Sequence, residues 1–218
     1  MEHQLEAWGG FSDEVSDYTE IDIPQRLVSG DDVAKDLEAI VDPFAFRERI
    51  TVPKLMITGT NDSYWTLDAL DLYYDDLVGD RYVMYVPNAG HGLGSGIARA
   101  VGGIAALFLA TDGRLRFPVL GWESSAEDGA LRLALTSDIA PETVRAWTAS
   151  SPSRDFRDAA WEDHAMTREG GIYILRLDLP EDAYLAVFGD AEFPMPDGPT
   201  FFLSTRVSMF KDGERISR

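Results

Sequence analysis

The chain has 218 residues, 45% hydrophobic and 26% charged, which is the balance of a folded globular protein rather than a disordered one. Its formal net charge of −19 sets up a field that repels nucleic acid, so DNA and RNA are excluded as partners. It has no cysteine, which excludes disulfides and thiolate-held metals, and no run near the roughly 20 apolar residues a membrane span needs.

Residues 1–50 read as helix and loop. The N-terminus, Met1-Glu-His-Gln-Leu-Glu, is acidic and lacks an apolar core segment, so no signal peptide is read there. Ser12 and Ser16 offer N-cap chemistry with acids placed early in a helix. Gly30-Asp-Asp opens a run that sets Val33, Leu37, Ile40 and Val41 on one face at helical spacing, and Asp42-Pro43 ends it, because the residue before proline avoids the α region. A short apolar run, Lys54 to Thr58, reads as a strand buried on both faces, as in a parallel sheet. A helix is expected over about 67–77, with turn signals at Gly79-Asp80. A second strand follows over Tyr82 to Val86, then a small-residue helix over about 97–109. This β-α-β-α order is the repeat of a doubly wound sheet.

The period changes after Thr111-Asp-Gly113. Alternation takes over (Leu131, Leu133, Leu135; Tyr173, Leu175, Leu177, Leu179; Phe201, Leu203, Val207, Met209), with Pro, Gly, Asp and Ser clusters between. Seven strands are expected: 116–123, 130–136, 142–149, 157–164, 171–179, 183–189 and 200–210. Their length and spacing suit an immunoglobulin-like sandwich.

Two residues carry the chemistry. Asp62 follows the first strand in Gly59-Thr-Asn-Asp62, and His91 follows the second in Pro87-Asn-Ala-Gly-His91-Gly92. Catalytic groups of open α/β sheets collect at the carboxyl ends of strands. An acid there can fix the tautomer of an imidazole while the ring takes a proton from a nucleophile. Each has a bland reading alone: an Asp in such a loop caps or turns, and a lone His is structural. The pairing across one crossover, in the chain order of an α/β-hydrolase's acid and histidine, points to a triad. Its nucleophile is not in the sequence. Ser12 has no second glycine and no preceding strand, so it reads as a helix cap. Ser95 follows the histidine, in the wrong order, and reads as a cap too.

Other candidates carry less. His3 reads as a solvated terminal residue and His164 as a strand-end residue. Neither has metal-ligand spacing. Asp68, Asp71 and Asp75 share a helical face with Asp76 nearby, and read as a solvated acidic surface rather than a Ca²⁺ site, which prefers loop ligands. No cofactor or metal is implied. Trp122, Trp147, Trp161 and Phe188 are expected in the core, with a carbohydrate- or protein-binding surface as the other reading.

The run Asp42-Pro-Phe-Ala-Phe-Arg-Glu-Arg-Ile-Thr-Val-Pro-Lys-Leu55, with Gly59-Thr-Asn-Asp62, Tyr73 to Gly79 and Tyr85-Val-Pro-Asn-Ala-Gly-His91, resembles the PhoPQ-activated pathogenicity-related proteins. Gly9 to Ser12, Asp17-Tyr18, Ser151 to Trp161 and Phe202-Leu-Ser-Thr-Arg206 are similar to that family as well. The resemblance covers nearly the whole chain. It implies a hydrolase-like protein with an appended β domain, usually exported, and places Asp62 and His91 at the acid and histidine positions. It also implies that the serine elbow belongs to an N-terminal half absent from this sequence.

The fold expected is therefore α/β followed by all-β: residues 1–112 as the C-terminal half of an α/β-hydrolase-like domain with a parallel sheet, and residues 113–218 as a β-sandwich. The expected function is ester or amide hydrolysis by the complete protein, on an unidentified small-molecule or peptide substrate, with this chain inactive alone. A non-catalytic secreted binding or signalling protein on the same scaffold is the alternative. Two parallel strands leave an open edge and an uncovered face. The expected partner is accordingly the missing N-terminal half or a second chain, with self-association through the edge as a further route.

Overall fold

The computed structural model describes residues 1–216 apart from 128 and 197. The first fifty residues form four short helices: α1 (Glu2–Trp8), α2 (Ser16–Thr19), α3 (Ile23–Ser29) and α4 (Asp32–Val41). The side chain of Asp31 caps α4 by accepting from Ala34 N–H at 2.9 Å. Past the end of α4, Asp42 caps the 3₁₀ turn Pro43–Arg49 in the same way, accepting from Phe44 N–H at 2.8 Å. Only Ala34 of α4 is buried, whereas Val33, Leu37, Ile40 and Val41 all face outward. The apolar stripe is where the periodicity puts it, but none of the described residues covers it.

Strands β1 (Lys54–Gly59) and β2 (Arg81–Val86) pair in parallel, from Lys54↔Arg81 to Gly59↔Val86. The helix expected between them does not form. Residues 67–77 contain two 3₁₀ turns, Ala69–Leu72 and Tyr74–Asp76, and the helical geometry is interrupted between them at Tyr73, with φ −146° and ψ −7°. Leu67, Leu70, Tyr74 and Leu77 are nevertheless all buried in the core. Their spacing reports burial correctly, but a run with four aspartates and no cap lacks the propensity to close α turns.

Helix α5 (Ile97–Thr111) lies against the sheet through Ala100, Gly102, Gly103 and Ala106. At Gly103 the helix packs directly onto the Met84 and Leu55 side chains, whose tips would have to shift to admit a Cβ. By length and composition alone the stretch Gly94–Thr111 is apolar enough to cross a membrane, with a mean hydropathy of 1.4. Here one face covers β1, β2 and β10, while Ile97, Val101, Ile104 and Phe108 are exposed on the other.

The rest of the chain is β: β3 (Leu120–Glu127), β4 (Ala130–Ser137), β5 (Thr143–Ser151), β6 (Glu162–Ala165), β7 (Thr167–Glu169), β8 (Ile172–Asp178), β9 (Tyr184–Phe193), β10 (Phe201–Ser204), β11 (Ser208–Lys211) and β12 (Glu214–Arg215). The strand expected over 200–210 is broken in two. Its partner register on β9 slips by one residue between Ser204↔Asp190 and Ser208↔Val187, which is a bulge. Thr205 fills it, fully buried, receiving Gly189 N–H on its hydroxyl and giving its own N–H to Gly189 C=O.

The sheets overturn the fold expected from sequence. There is no wound parallel sheet followed by a separate sandwich. β1–β2 is the one parallel pair among the described residues, and β2 is continued by β10, which runs antiparallel to it at Ser204↔Val83. The first two strands thus join β5, β6 and β9 to β12 in a single eight-stranded mixed sheet. The second sheet is antiparallel, in the order β3-β4-β8-β7. Leu131, Leu133 and Leu175 from that sheet pack on Leu185, Val187 and Phe210 of the mixed one. Periodicity reports which residues are buried and not which strand lies beside which, so sequence reading could not see that C-terminal strands extend the N-terminal pair.

Trp161 and Phe188 lie in the core, as expected, and Trp122 and Trp147 are partly buried against it. The core cluster that matters for the site runs from Leu67, Leu70, Val83 and Tyr85 to Phe156, Trp161 and Phe188. Two of its members, Phe156 and Trp161, are hydrogen-bonded through their backbone to Asn61 and Asn88 in the loops that follow β1 and β2.

Candidate functional site

At the carboxyl end of β1 the backbone continues to pair after the strand ends. Thr60 N–H reaches Val86 C=O at 3.0 Å and Asn61 N–H reaches Ala89 C=O at 2.9 Å. This closeness depends on Gly59, because a Cβ there would stand 2.2 Å from the Ala89 carbonyl oxygen and 2.5 Å from that of Gly90. The acid loop and the histidine loop are therefore pressed together by backbone before any side chain is considered.

Asp62 is buried, with 7% of its side chain exposed. Its Oδ1 accepts from Tyr64 N–H at 2.7 Å and from Trp65 N–H at 3.1 Å. Its Oδ2 lies 2.9 Å from His91 Nδ1. A carboxylate only accepts, so Nδ1 carries the proton and the neutral ring leaves Nε2 as its basic nitrogen. Among the described residues Nδ1 makes the ring's only hydrogen bond, and half of the His91 side chain, 51%, is exposed. The Tyr64 ring lies against the imidazole, with centroids 4.3 Å apart and a tilt of 35°. The two residues singled out in the sequence are thus brought into direct contact, with the acid oriented by backbone and the imidazole facing outward.

The acid loop is backed from the N-terminal side. Gln4 donates to Tyr64 C=O at 2.6 Å and accepts from Ser12 N–H at 3.1 Å, and the Ser12 hydroxyl donates to Ser63 C=O. Ser12 also accepts from Glu14 N–H as a cap, at 3.2 Å. Ser95 lies in the short turn Gly94–Gly96 before α5, with no side-chain cap bond there.

His3 and the acidic run differ from expectation. His3 Nε2 is 2.8 Å from Asp68 Oδ1, and Arg154 Nη2 donates to Asp68 Oδ2 at 2.5 Å. Burial alone would raise the Asp68 carboxyl, but the hydrogen bonds and charges of His3 and Arg154 outweigh it and hold it down to about 2. The bond to Asp68 raises His3 in turn. Asp71 is also buried: desolvation pushes its carboxyl up to about 6, against the Arg206 guanidinium 3.2 Å away. Only Asp75 and Asp76 form an exposed acidic surface. Among the described residues no group of three or more His, Asp or Glu side chains is placed to hold a metal ion. His164 sits on β6, with its Nε2 2.7 Å from the Thr148 hydroxyl.

Sequence reading missed Thr60, Asn61 and Asn88, which link the two loops. Asn88 N–H donates to Thr60 Oγ1 at 2.8 Å, and that hydroxyl donates to Asn61 Oδ1 at 2.9 Å. In a loop the three look like ordinary turn formers, and only their position next to Asp62 and His91 hints otherwise.

Two clefts lie elsewhere. One of about 530 Å³ is walled by Tyr74, Arg81, Trp122 and Arg206, and one of about 310 Å³ by Arg99, Arg145, Trp147 and Phe202. Neither is lined by Asp62 or His91, which stand on an open rim.

The family model of the PhoPQ-activated pathogenicity-related proteins matches residues 1–157. The chain belongs to that family. A PhoPQ-related chain with an acid–imidazole pair at this rim has a curated relative in Dictyostelium discoideum, autocrine proliferation repressor protein A. It is 29% identical over 217 residues, which cover 88% of this chain and 43% of that protein. The chain thus spans less than half the length of that relative. Two solved structures share weak likeness. One is a family 56 carbohydrate-binding module, a β-1,3-glucan binding domain, at 10% identity, 42% of this chain, 98% of its own and a TM-score of 0.31. The other is a Br derivative of such a module, at 12% identity, 48% of this chain, 97% of its own and a TM-score of 0.32. Likeness at that level establishes neither fold nor ligand.

Proposed function

We propose that this segment supplies the acid and the general base of a serine-type hydrolase, the nucleophile and oxyanion hole coming from the part of a family-length protein outside these residues. The observation that carries the reading is the 2.9 Å contact between Asp62 Oδ2 and His91 Nδ1, on a ring whose side chain is half exposed. In that role Asp62 holds the tautomer and stabilises the imidazolium. His91 Nε2 takes the proton of an incoming hydroxyl as it attacks an ester or amide carbonyl, and returns it to the leaving group.

The uncovered surfaces support an incoming partner beside the dyad. β1 is the end strand of its sheet, and the stripes on α4 and α5 are apolar and exposed. Exposed faces of that kind mark contact sites. The occupant proposed is the remainder of the family-length protein, because this chain covers under half of its Dictyostelium relative.

A second reading has its own observation. That relative is named as an autocrine proliferation repressor, and the dyad lines neither of the two clefts described above. A binding or signalling protein would keep the pair as a structural tie. A fluorophosphonate probe on the family-length protein separates the two readings. Labelling of a serine that needs His91 is expected of the hydrolase, and silence from a folded protein supports the binding protein.

A further inference from the structure

A third segment of the chain is hydrogen-bonded to both the acid loop and the histidine loop. The backbone pairing between the two loops ends with Asn61 N–H on Ala89 C=O. Beyond it the histidine loop runs through Gly90, Gly92, Leu93 at φ 59° and Gly94 at φ 47°, a stretch with few side chains to fix it. One backbone bond, Leu93 N–H on Gly90 C=O at 2.9 Å, closes the turn around His91, and glycine-rich backbone of this kind gains rigidity from any further tie.

Loop 156–161 adds a tie to each loop. The Asn61 amide nitrogen faces the carbonyls of Phe156, Arg157 and Ala159 at 3.2, 3.0 and 2.7 Å, two N–H groups shared among three acceptors. Asn88 makes two bonds to a single residue, its Nδ2 donating to Trp161 C=O at 2.9 Å and its Oδ1 accepting from Trp161 N–H at 2.8 Å. The side-chain amide thus stands where a neighbouring strand would be. Asn88 does this from the left-handed region, at φ 55°, which asparagine tolerates better than most residues. The loop is itself fixed, because Phe156 and Trp161 are buried with Phe188, and the Ser151 hydroxyl holds Asp155 C=O at 2.6 Å. Through Thr60 the two amides close one circuit that passes the acid loop, the histidine loop and the core.

We propose that Asn61 and Asn88 are positioning residues, through which loop 156–161 of the C-terminal β segment sets the Asp62–His91 distance. The proposal deepens the hydrolase reading and rests on it for its functional meaning, but the geometry is measurable in this chain without a nucleophile. Without the clamp, the histidine loop keeps only its own turn, Leu93 N–H on Gly90 C=O at 2.9 Å, and the Asn61–Ala89 backbone bond, and the ring gains room to move off the carboxylate before any substrate arrives.

The test is the ¹H NMR signal of the His91 Hδ1 proton in the 218-residue chain, with its rate of exchange with solvent. The wild-type chain should show a slowly exchanging proton held by Asp62. Asn61→Ala removes four contacts, three to loop carbonyls and one from the Thr60 hydroxyl. Asn88→Gly removes the amide in a residue that accepts φ 55° without strain. Each should speed Hδ1 exchange by about tenfold or broaden the signal away. Leu133→Ala, a core truncation in the other sheet, should cost stability and leave the signal in place. If both asparagine variants lower stability while the Hδ1 signal stays as in the wild type, the amides only satisfy the loop carbonyls and the proposal is wrong. If Asn61→Ala does not fold, Asn88→Gly decides between these outcomes on its own. A clamp that responds as expected, in a family-length protein that hydrolyses esters without His91, would leave the clamp standing and remove the catalytic reading.

Discussion

Asp68→Ala is expected to destabilise the chain by about 3 kcal/mol at neutral pH, one of the largest single effects in the molecule. The carboxylate is buried and joins three distant segments: α1 through His3, the turn after β1 that carries it, and loop 151–157 through Arg154. Removing it leaves a guanidinium and an imidazole without their counter-charge. Arg154 still reaches solvent, which keeps the loss near the lower end of what breaking a buried pair costs. The effect has a pH signature. The folded carboxyl is held down to about 2, below its ordinary value of 3.8. Its contribution is therefore complete above about pH 4 and fades as pH falls toward 2. Denaturant midpoints of wild type and Asp68→Ala should differ most between about pH 4 and 6, where Asp68 is ionised and His3, raised by the same bond, is still charged, and should converge below about pH 3. A gap that persists unchanged at about pH 2 would mean that packing, not charge, holds this junction.

Gly59→Ala is the second large effect, with a loss of about 3 kcal/mol or failure to fold. The new methyl would meet the backbone oxygens of Ala89 and Gly90 at 2.2 and 2.5 Å, and backbone at the end of a paired strand cannot swing aside as a flexible side chain does. Relief requires the histidine loop to move away, so the variant should also separate His91 from Asp62. Urea denaturation reads the first consequence, and the His91 Hδ1 signal reads the second. A variant within about 1 kcal/mol of wild type that keeps that signal would show that the two loops have slack.

The candidate site is more legible in the sequence than the fold. Asp62 and His91 stand out because two short apolar runs each end in a small-residue loop carrying one chemically active side chain, and both runs are strands close to the expected limits. Helix α5 and most C-terminal strands are legible from period alone. The pairing of strands is not. Nothing in the alternation of Phe201 and Leu203 says that their strand lies beside β2, and nothing at Thr205 announces the bulge that divides residues 200–210. The stripe on α4 reads as a core face because apolar spacing reports a need for burial, not the identity of what buries it. The 67–77 segment reads as a helix because Leu67, Leu70, Tyr74 and Leu77 fit a helical face, and two successive 3₁₀ turns bury the same residues. Asn61 and Asn88 are invisible because their partners are backbone groups some seventy to a hundred residues away, and carbonyls leave no mark on a sequence.

The most direct trial of the Asp62–His91 pair is kinetic, on the family-length protein that contains this segment. With p-nitrophenyl ester as substrate, His91→Ala should lower kcat/KM by at least about a thousandfold while leaving the fold intact, as loss of a triad base does. The 218-residue chain by itself should show no turnover. Ester hydrolysis that survives His91→Ala at wild-type rate would contradict the assignment of this imidazole as the base.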